Sequence, residues 1–377
     1  MTNPIGLYLH IPFCRQRCDF CAFYLELYRV GAADTFLHAI RTEVRLQADQ
    51  ERINGRAFQS VYFGGGTPTA LRAEQLTEIL ANIRHELPLV RECEITVEAH
   101  PGTVSQSDLS MLYDAGVNRI SFGAESMQDE ELIGIGRPAL ARETVAAVLS
   151  AREAGFTNIN LDLMYGLPDQ TLQSWKDTIG QCIELAPTHI SCYALTVEEG
   201  SRLAHDIRHH RVHAPDDSIQ VAMDQTAQSM LNDAGYQQYE ISNYAKPGFA
   251  CRHNLLYWTH GDYLGFGPSA QSLVNGVRFG NVANLAAYQT ALAQQTLPTQ
   301  DETVLTKEEQ LRDAVIFGLR LVQGIPTEQL RDHAENYGHA TTLEMLREQK
   351  LIEEDGERSR LSAQGRLHAD TVAEKLY

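Results

Sequence analysis

Apolar residues along this chain follow two alternating rhythms. Short runs rich in Val, Ile, Leu and aromatic residues occupy 6–12, 60–66, 94–101, 119–125, 158–166 and 189–195. Between them, over 34–50, 71–86, 105–115, 141–154 and 172–184, apolar residues return at the spacing of one helix face. Gly116 and Gly155 close two of these helical stretches, as a helix C-cap requires. Strands alternating with helices predict a parallel sheet with helices outside it. Right-handed crossovers favour the rolled form, so the expected fold class is α/β, a partial (βα)6 TIM-like barrel.

The rhythm breaks after Leu195. The stretch 198–215 is polar and His-rich, 216–234 reads as a helix, and 236–280, rich in Gly, Tyr, His and Asn, reads as irregular. From Thr306 the pattern is helical again, with helices expected over 311–321, 327–337 and 342–348 and a wing at 359–361, as in a winged-helix module. These shifts predict a core over 1–200, an extension over 201–300 and a mostly helical module over 301–377, with a soft boundary near 298–305. No internal repeat or low-complexity tract is present.

Composition narrows the function. Hydrophobic residues make up 43% of the 377 residues, enough for a sizeable core. A net charge of -18 repels phosphate backbones and anionic membrane surfaces, so nucleic acid and lipid are not expected partners. No apolar run is long enough to span a membrane, and residues 1–6 carry no basic or long apolar segment of a signal peptide. A cytoplasmic location is expected.

Of seven cysteines, Cys14, Cys18 and Cys21 crowd into one short loop, while Cys93, Cys182, Cys192 and Cys251 are scattered. An odd, uneven set is not a disulfide framework. Soft thiolates suit iron–sulfur clusters and zinc, but structural zinc takes four ligands, usually in two separated pairs. Three thiolates on a four-iron cube leave one iron open to a ligand. A zinc knuckle or three unrelated thiols is the alternative. In barrels of parallel strands, ligand sites lie at the C-terminal ends of the strands. Gly64-Gly65-Gly66-Thr67-Pro68, Glu98, Glu125 and Asp162 fall at or near those ends in four successive strands. Taken singly, the glycines fit a tight turn and each acid a salt bridge; together they fit a rim facing one cofactor.

The CxxxCxxC pattern after a first strand resembles the signature of the radical S-adenosylmethionine (SAM) superfamily. That resemblance implies a [4Fe–4S] cluster on Cys14, Cys18 and Cys21, with SAM on the open iron and reductive cleavage to a 5′-deoxyadenosyl radical. The stretches YLHIPFC, FGGGTPT, NLDLMYGLPDQT, YEISNYAKPG and HNLLYW narrow the resemblance to the HemN-like group, over nearly the whole chain. By that resemblance Tyr8, Phe20, Gly65, Gly66, Thr67, Glu98, Glu125, Arg137 and Asp162 match SAM-contacting positions. Glu98 would accept from the SAM ammonium, Asp162 from a ribose hydroxyl, and Arg137 would face a carboxylate.

Within the group the chain is most similar to the HemW-like haem chaperones. Phe23 stands where the coproporphyrinogen III dehydrogenases have a fourth cysteine, only seven residues precede Tyr8, and His253-Asn254-Leu255-Leu256-Tyr257-Trp258 matches the HNxxYW motif. The resemblance implies haem as cargo, His253 as its ligand, a haem-accepting partner and an electron donor, with peripheral encounters with membrane-bound haemoproteins. Cys251 is a second candidate haem ligand, since thiolate also ligates haem iron. Oxidative decarboxylation of porphyrinogen propionates is the alternative activity, and an iron–sulfur scaffold without SAM chemistry a third reading. The chain departs from the family in having Glu125 where Gln is usual and Pro138-Ala139 in place of the end of a GRxH motif. His205, His209, His210 and His213 read as a solvated loop rather than a metal site.

Overall fold

The computed structural model describes residues 5–213 and 216–377. Most of the N-terminal segment read for a targeting signal, and the end of the His-rich stretch at 214–215, lie outside the described residues. Six strands follow the apolar runs: β1 (Ile5–Ile11), β2 (Phe58–Gly65), β3 (Leu89–Ala99), β4 (Arg119–Glu125), β5 (Asn158–Tyr165) and β6 (His189–Ala194). Five helices cover them: α1 (Val30–Ala48), α2 (Ala73–Glu86), α3 (Gln106–Asp114), α5 (Ala141–Glu153) and α6 (Leu172–Glu184), with a short α4 (Asp129–Gly134) that the apolar pattern did not predict. The strands alternate: in β1 Ile5, Leu7, Leu9 and Ile11 are fully buried on one face, and Gly6, Tyr8 and His10 point to the other. In α2 the buried set Leu76, Ile79, Leu80 and Ile83 is one helical stripe. Gly116 and Gly155 have φ of 91° and 107°, the left-handed turn expected of them.

The second part of the chain is more regular than its composition predicts. Instead of a loop, 198–215 contains α7 (Arg202–Arg208), started by Ser201 Oγ accepting from the Ala204 amide, and α8 (Asp217–Asp233) follows. Instead of an irregular segment, 236–280 forms β7 (Gln237–Glu240), β8 (Asn243–Ala245), α9 (Arg252–Trp258), β9 (Tyr263–Phe266), β10 (Gln271–Val274) and β11 (Val277–Asn281). Then come α10 (Leu285–Ala293) and β12 (Thr299–Val304). Among the described residues these make one twelve-stranded sheet, ordered β12-β11-β10-β9-β1-β2-β3-β4-β5-β6-β8-β7. β9 is parallel to β1, and the added strands beyond β9 and β6 run antiparallel. The two edge strands are not paired with each other, so the barrel is open. Composition failed here because Gly265 and Gly280 are packing residues: a Cβ on either would lie 2.3 or 2.5 Å from Gln271 atoms.

The C-terminal part holds a second apolar cluster, from Val315 to Leu376. It comprises α11 (Lys307–Gly318), β13 (Ile325–Pro326), α12 (Thr327–Tyr337), α13 (Ala340–Glu348), β14 (Ile352–Glu354), β15 (Arg358–Leu361), α14 (Ala363–Leu367) and α15 (Ala369–Leu376). α11 starts a few residues earlier than expected because Thr306 and Glu309 form a reciprocal capping box, and it ends at Gly318.

One buried acid ties α1 to the added strands. Glu43 is fully buried and accepts from the Gly267 amide at 2.8 Å, from Asn281 Nδ2 and from the Tyr288 hydroxyl. Burial pushes its carboxyl up to about 7, against those three hydrogen bonds. An acid raised on folding loses stability as pH rises, because the unfolded chain ionises first. Between pH 5 and pH 8, urea unfolding should therefore show the wild type losing roughly 3 kcal/mol more than Glu43→Gln. Glu43→Gln should flatten that component, and an identical pH slope in both proteins would rule the assignment out.

Candidate functional site

The cysteine loop leaves the barrel at the C-terminal end of β1. Phe13–Cys14 pairs with Glu26–Leu27, the Tyr28 amide donates to the Cys14 carbonyl at 2.9 Å, and the Asp19 amide to the Ile135 carbonyl at 3.0 Å. Cys14 is buried, Cys18 and Cys21 are half-buried, and all three are free thiols. They line one cavity of about 400 Å³ together with Gly65, Gly66, Thr67 and Arg137. Thr67 Oγ1 lies 3.3 Å from Cys14 Sγ, and Arg137 Nη1 donates to Cys18 Sγ at 3.5 Å. Burial raises the Cys14 and Cys18 thiols, while Thr67 and Arg137 respectively work in the opposite direction. Such donors favour thiolate once a positive group is bound.

The cavity suits an iron–sulfur cluster better than one ion. Among the described residues no three His, Cys, Asp or Glu side chains converge closely enough to hold a single metal ion. A four-iron cube takes each thiolate on a different iron, so its ligands stand farther apart. Gly66 supplies the cradle: a Cβ there would meet the Phe13 carbonyl oxygen at 2.8 Å and Cys14 Sγ at 3.1 Å. Cys14, Cys18 and Cys21 could hold the cluster, with no fourth cysteine among the residues lining the cavity.

A larger cavity of about 660 Å³ adjoins the first and shares Phe20, Cys21, Gly66, Thr67, Glu125 and Arg137 with it. Its floor is acidic. Glu98 accepts from the Tyr62 hydroxyl at 2.8 Å; burial, then the charge of Asp162, pushes its carboxyl up to about 7. Asp162 accepts from Ser121 Oγ at 3.0 Å and from Asn160 Nδ2 at 2.7 Å. Glu125 ends β4 at φ 62°, a left-handed conformation that a residue with a Cβ rarely adopts and that costs of order 1–3 kcal/mol. It pairs with Arg137 at 3.3 Å, and burial raises it to about 7 with Arg137 opposing. Gly123 makes room for that pair, since a Cβ there would lie 2.8 Å from Arg137 Nη2. Three carboxyl groups against one guanidinium suit a ligand with cationic centres, which an ammonium and a sulfonium supply.

The sequence-predicted residues therefore separate into two sets. Cys14, Cys18, Cys21, Phe20, Gly65, Gly66, Thr67, Glu98, Glu125, Arg137 and Asp162 line the two joined cavities. Tyr8 and His253 lie inside the barrel and line neither. Tyr8 stacks on Tyr62 with ring centroids 6.3 Å apart, and Tyr62 stacks on His253 at 5.0 Å. His253 is 1% exposed; its Nδ1 is 2.9 Å from Ser60 Oγ and its Nε2 is 3.0 Å from the Tyr257 hydroxyl. Burial, then Arg119, lowers its pKa to about 3. Cys251 is fully buried, and burial raises its thiol to about 12.

The sequence reading missed Tyr62, Ser121, Asn160 and Glu94. Strand parity could have found the first three, since Tyr62 shares a face with Gly64 and Asn160 with Asp162. Glu94 anchors α9: its carboxylate accepts from the Arg252 amide at 3.1 Å, the His253 amide at 3.0 Å and Cys251 Sγ at 3.5 Å. The four histidines at 205, 209, 210 and 213 are exposed.

An open half-barrel of parallel strands, with three thiols and an acidic, glycine-cradled cavity at its C-terminal rim, defines a cofactor-binding core. Residues 8–182 match the Radical SAM superfamily and residues 305–368 the HemN C-terminal domain. The haem chaperone HemW of Bacillus subtilis is 35% identical over 97% of this chain and 97% of its own. HemW of Escherichia coli is 39% identical over 72% of this chain and 70% of its own. Among solved structures, the coproporphyrinogen III oxidase HemN of E. coli, a radical SAM enzyme, matches with TM-score 0.86 and 25% identity over 99% of this chain and 90% of that one. The chain belongs to the HemW family within the radical SAM superfamily. Membership implies a [4Fe–4S] cluster and SAM as its cofactors. Among the described residues no helix is long and apolar enough to cross a membrane.

Proposed function

We propose that this chain is a radical SAM haem chaperone, which takes up haem and passes it to a haem-requiring protein. The observation that carries this reading is the near full-length likeness to HemW proteins, including HemW of B. subtilis. The HNxxYW motif at 253–258 and Phe23 at the position of the dehydrogenases' fourth cysteine support it. Cys14, Cys18 and Cys21 are the proposed cluster ligands. Phe20, Gly65, Gly66 and Thr67 bind SAM on the cluster side, and Glu98, Glu125, Arg137 and Asp162 surround the rest of it. Tyr8 acts from beneath, through its stack with Tyr62, the residue that holds Glu98. When bound, cluster and SAM supply one-electron chemistry.

His253 is the proposed haem ligand. Its imidazole is neutral, the form that ligates iron. The ring is 1% exposed and lines neither cavity, so ligation requires α9 to unseat and Nε2 to give up the Tyr257 hydroxyl. Cys251 is the weaker candidate, because a thiol raised to about 12 is not a thiolate at neutral pH. The proposed setting is the cytoplasm, with an electron donor and a haem-accepting protein as partners, some acceptors being met at a membrane surface.

An anaerobic hemin titration of cluster-loaded wild type and His253→Ala tests this reading. The expected result is a saturable Soret shift in the wild type and binding about tenfold weaker or more in the variant. No saturable binding in the wild type would overturn the chaperone reading, and equal binding would remove His253 from it. A second reading, oxidative decarboxylation of coproporphyrinogen III, is favoured by the fold shared with HemN of E. coli. Anaerobic formation of protoporphyrinogen IX would establish it.

A further inference from the structure

His100 follows β3 two residues after Glu98, so both side chains leave the strand on the same side. Its backbone is pinned, with its amide donating to Thr69 Oγ1 at 3.1 Å and its carbonyl accepting from Thr103 Oγ1 at 2.8 Å. The ring lines both the cluster cavity and the larger cavity. Nδ1 accepts from the Gly102 amide at 3.2 Å. A ring nitrogen that accepts carries no proton, so the neutral imidazole holds its proton on Nε2. That Nε2 is shielded from solvent and has no hydrogen-bond partner in the protein. Burial, then the charges of Arg137 and Arg15, pushes the pKa down to about 3, which keeps the ring neutral.

Arg15 also lines the cluster cavity but is exposed, whereas the mostly buried guanidinium in the same place is committed. Arg137, which the family resemblance sets against a carboxylate, already gives Nη1 to Cys18 Sγ and Nη2 to the Gly123 carbonyl, with Glu125 Oε1 3.3 Å away. SAM carries an ammonium, a sulfonium and one carboxylate. Glu98, Glu125 and Asp162 suit the two cations and repel the carboxylate. A buried N–H without an acceptor is rare and is completed by a ligand oxygen where a ligand binds.

We propose that His100 is a binding residue for the SAM carboxylate, donating through Nε2–H from the wall that the two cavities share. The proposal rests on SAM occupying these cavities and is independent of the haem-carrying role. Hemin titration of the same proteins reads that role separately, so either reading fails without the other.

The test is calorimetric titration of cluster-loaded wild type, His100→Ala and His100→Gln with SAM and with decarboxylated SAM. A hydrogen bond to a charged group sets the expected size: His100→Ala should bind SAM about tenfold to a hundredfold more weakly. Its affinity for the decarboxylated analogue should stay within about twofold of wild type. His100→Gln, which keeps an N–H donor, should recover part of the SAM affinity. Iron content and the visible spectrum of the cluster should match wild type in both variants. Unchanged SAM binding in His100→Ala overturns the proposal, as does equal weakening toward both ligands. Where the analogue binds too weakly to titrate, His100→Gln decides: recovered affinity supports the carboxylate contact, and affinity equal to that of His100→Ala overturns it.

Discussion

Replacing Cys14, Cys18 or Cys21 by Ala is expected to leave a folded protein that retains almost no iron after anaerobic reconstitution, against about four irons per chain in the wild type. The effect is large because the three thiols line one cavity that contains no fourth cysteine, so no neighbour substitutes for a lost ligand. Two thiolates on a four-iron cube would leave a second iron open to water. Folding should survive, since Cys18 and Cys21 are only half-buried and the main apolar core begins below the loop. Far-ultraviolet circular dichroism checks that point, and iron analysis with the visible spectrum reads the cluster. Cys182→Ala is the contrasting case. Its thiol is fully buried in α6, raised to about 12 by burial, and lines neither cavity, so iron content should match wild type. Normal iron content in any one of the three cluster variants would sink the assignment.

Removing the Glu94 side chain is expected to be the most damaging single change in the barrel interior. Glu94 is 4% exposed and caps α9 with three hydrogen bonds, from Cys251, Arg252 and His253. It also lies 3.8 Å from Arg252 Nε, and its charge acts on fully buried Arg119. Arg119 Nε and Nη1 have no hydrogen-bond partner in the protein, so this neighbouring charge matters. Glu94→Ala leaves one buried and one part-buried amide unsatisfied and a buried guanidinium less compensated, a loss of about 3–5 kcal/mol. For a chain of this size that lowers Tm by roughly 4–6 °C in a thermal melt. Glu94→Gln keeps one acceptor and should lose about half as much. Because α9 carries the HNxxYW motif, Glu94→Ala should also weaken hemin binding while leaving the cluster spectrum intact. A Tm within about 2 °C of wild type would show that α9 is held by other contacts.

The barrel strands and helices were legible because their signals are local. An apolar run bounded by glycine, a stripe at helical spacing and a glycine at a helix end are each readable within a dozen residues. The rim was legible for the same reason: once β1 to β5 are placed, their C-terminal ends follow, and Cys14, Gly65, Glu98, Glu125 and Asp162 fall there. The segment 236–280 was not legible, because β9 is a strand only by virtue of lying beside β1 more than 250 residues earlier. Its glycines, which lower strand propensity in isolation, are required by the close approach of Gln271.

The same division runs through the site. Cysteine spacing and the HNxxYW motif are properties of adjacent residues, so the resemblance they carry, with the cofactor class and the kinship with haem chaperones it implies, was legible in the chain alone. Which groups remain free to act is a property of packing. The fold joins the two cavities, turns Glu125 to a left-handed backbone to meet Arg137, and commits that guanidinium to Cys18 and Gly123. It seats His253 in the barrel with both ring nitrogens bonded, and leaves His100 with a proton and no acceptor. Sequence specifies which donors and acceptors exist; only the tertiary structure decides which of them are already satisfied, because hydrogen bonds inside a protein form between residues distant along the chain.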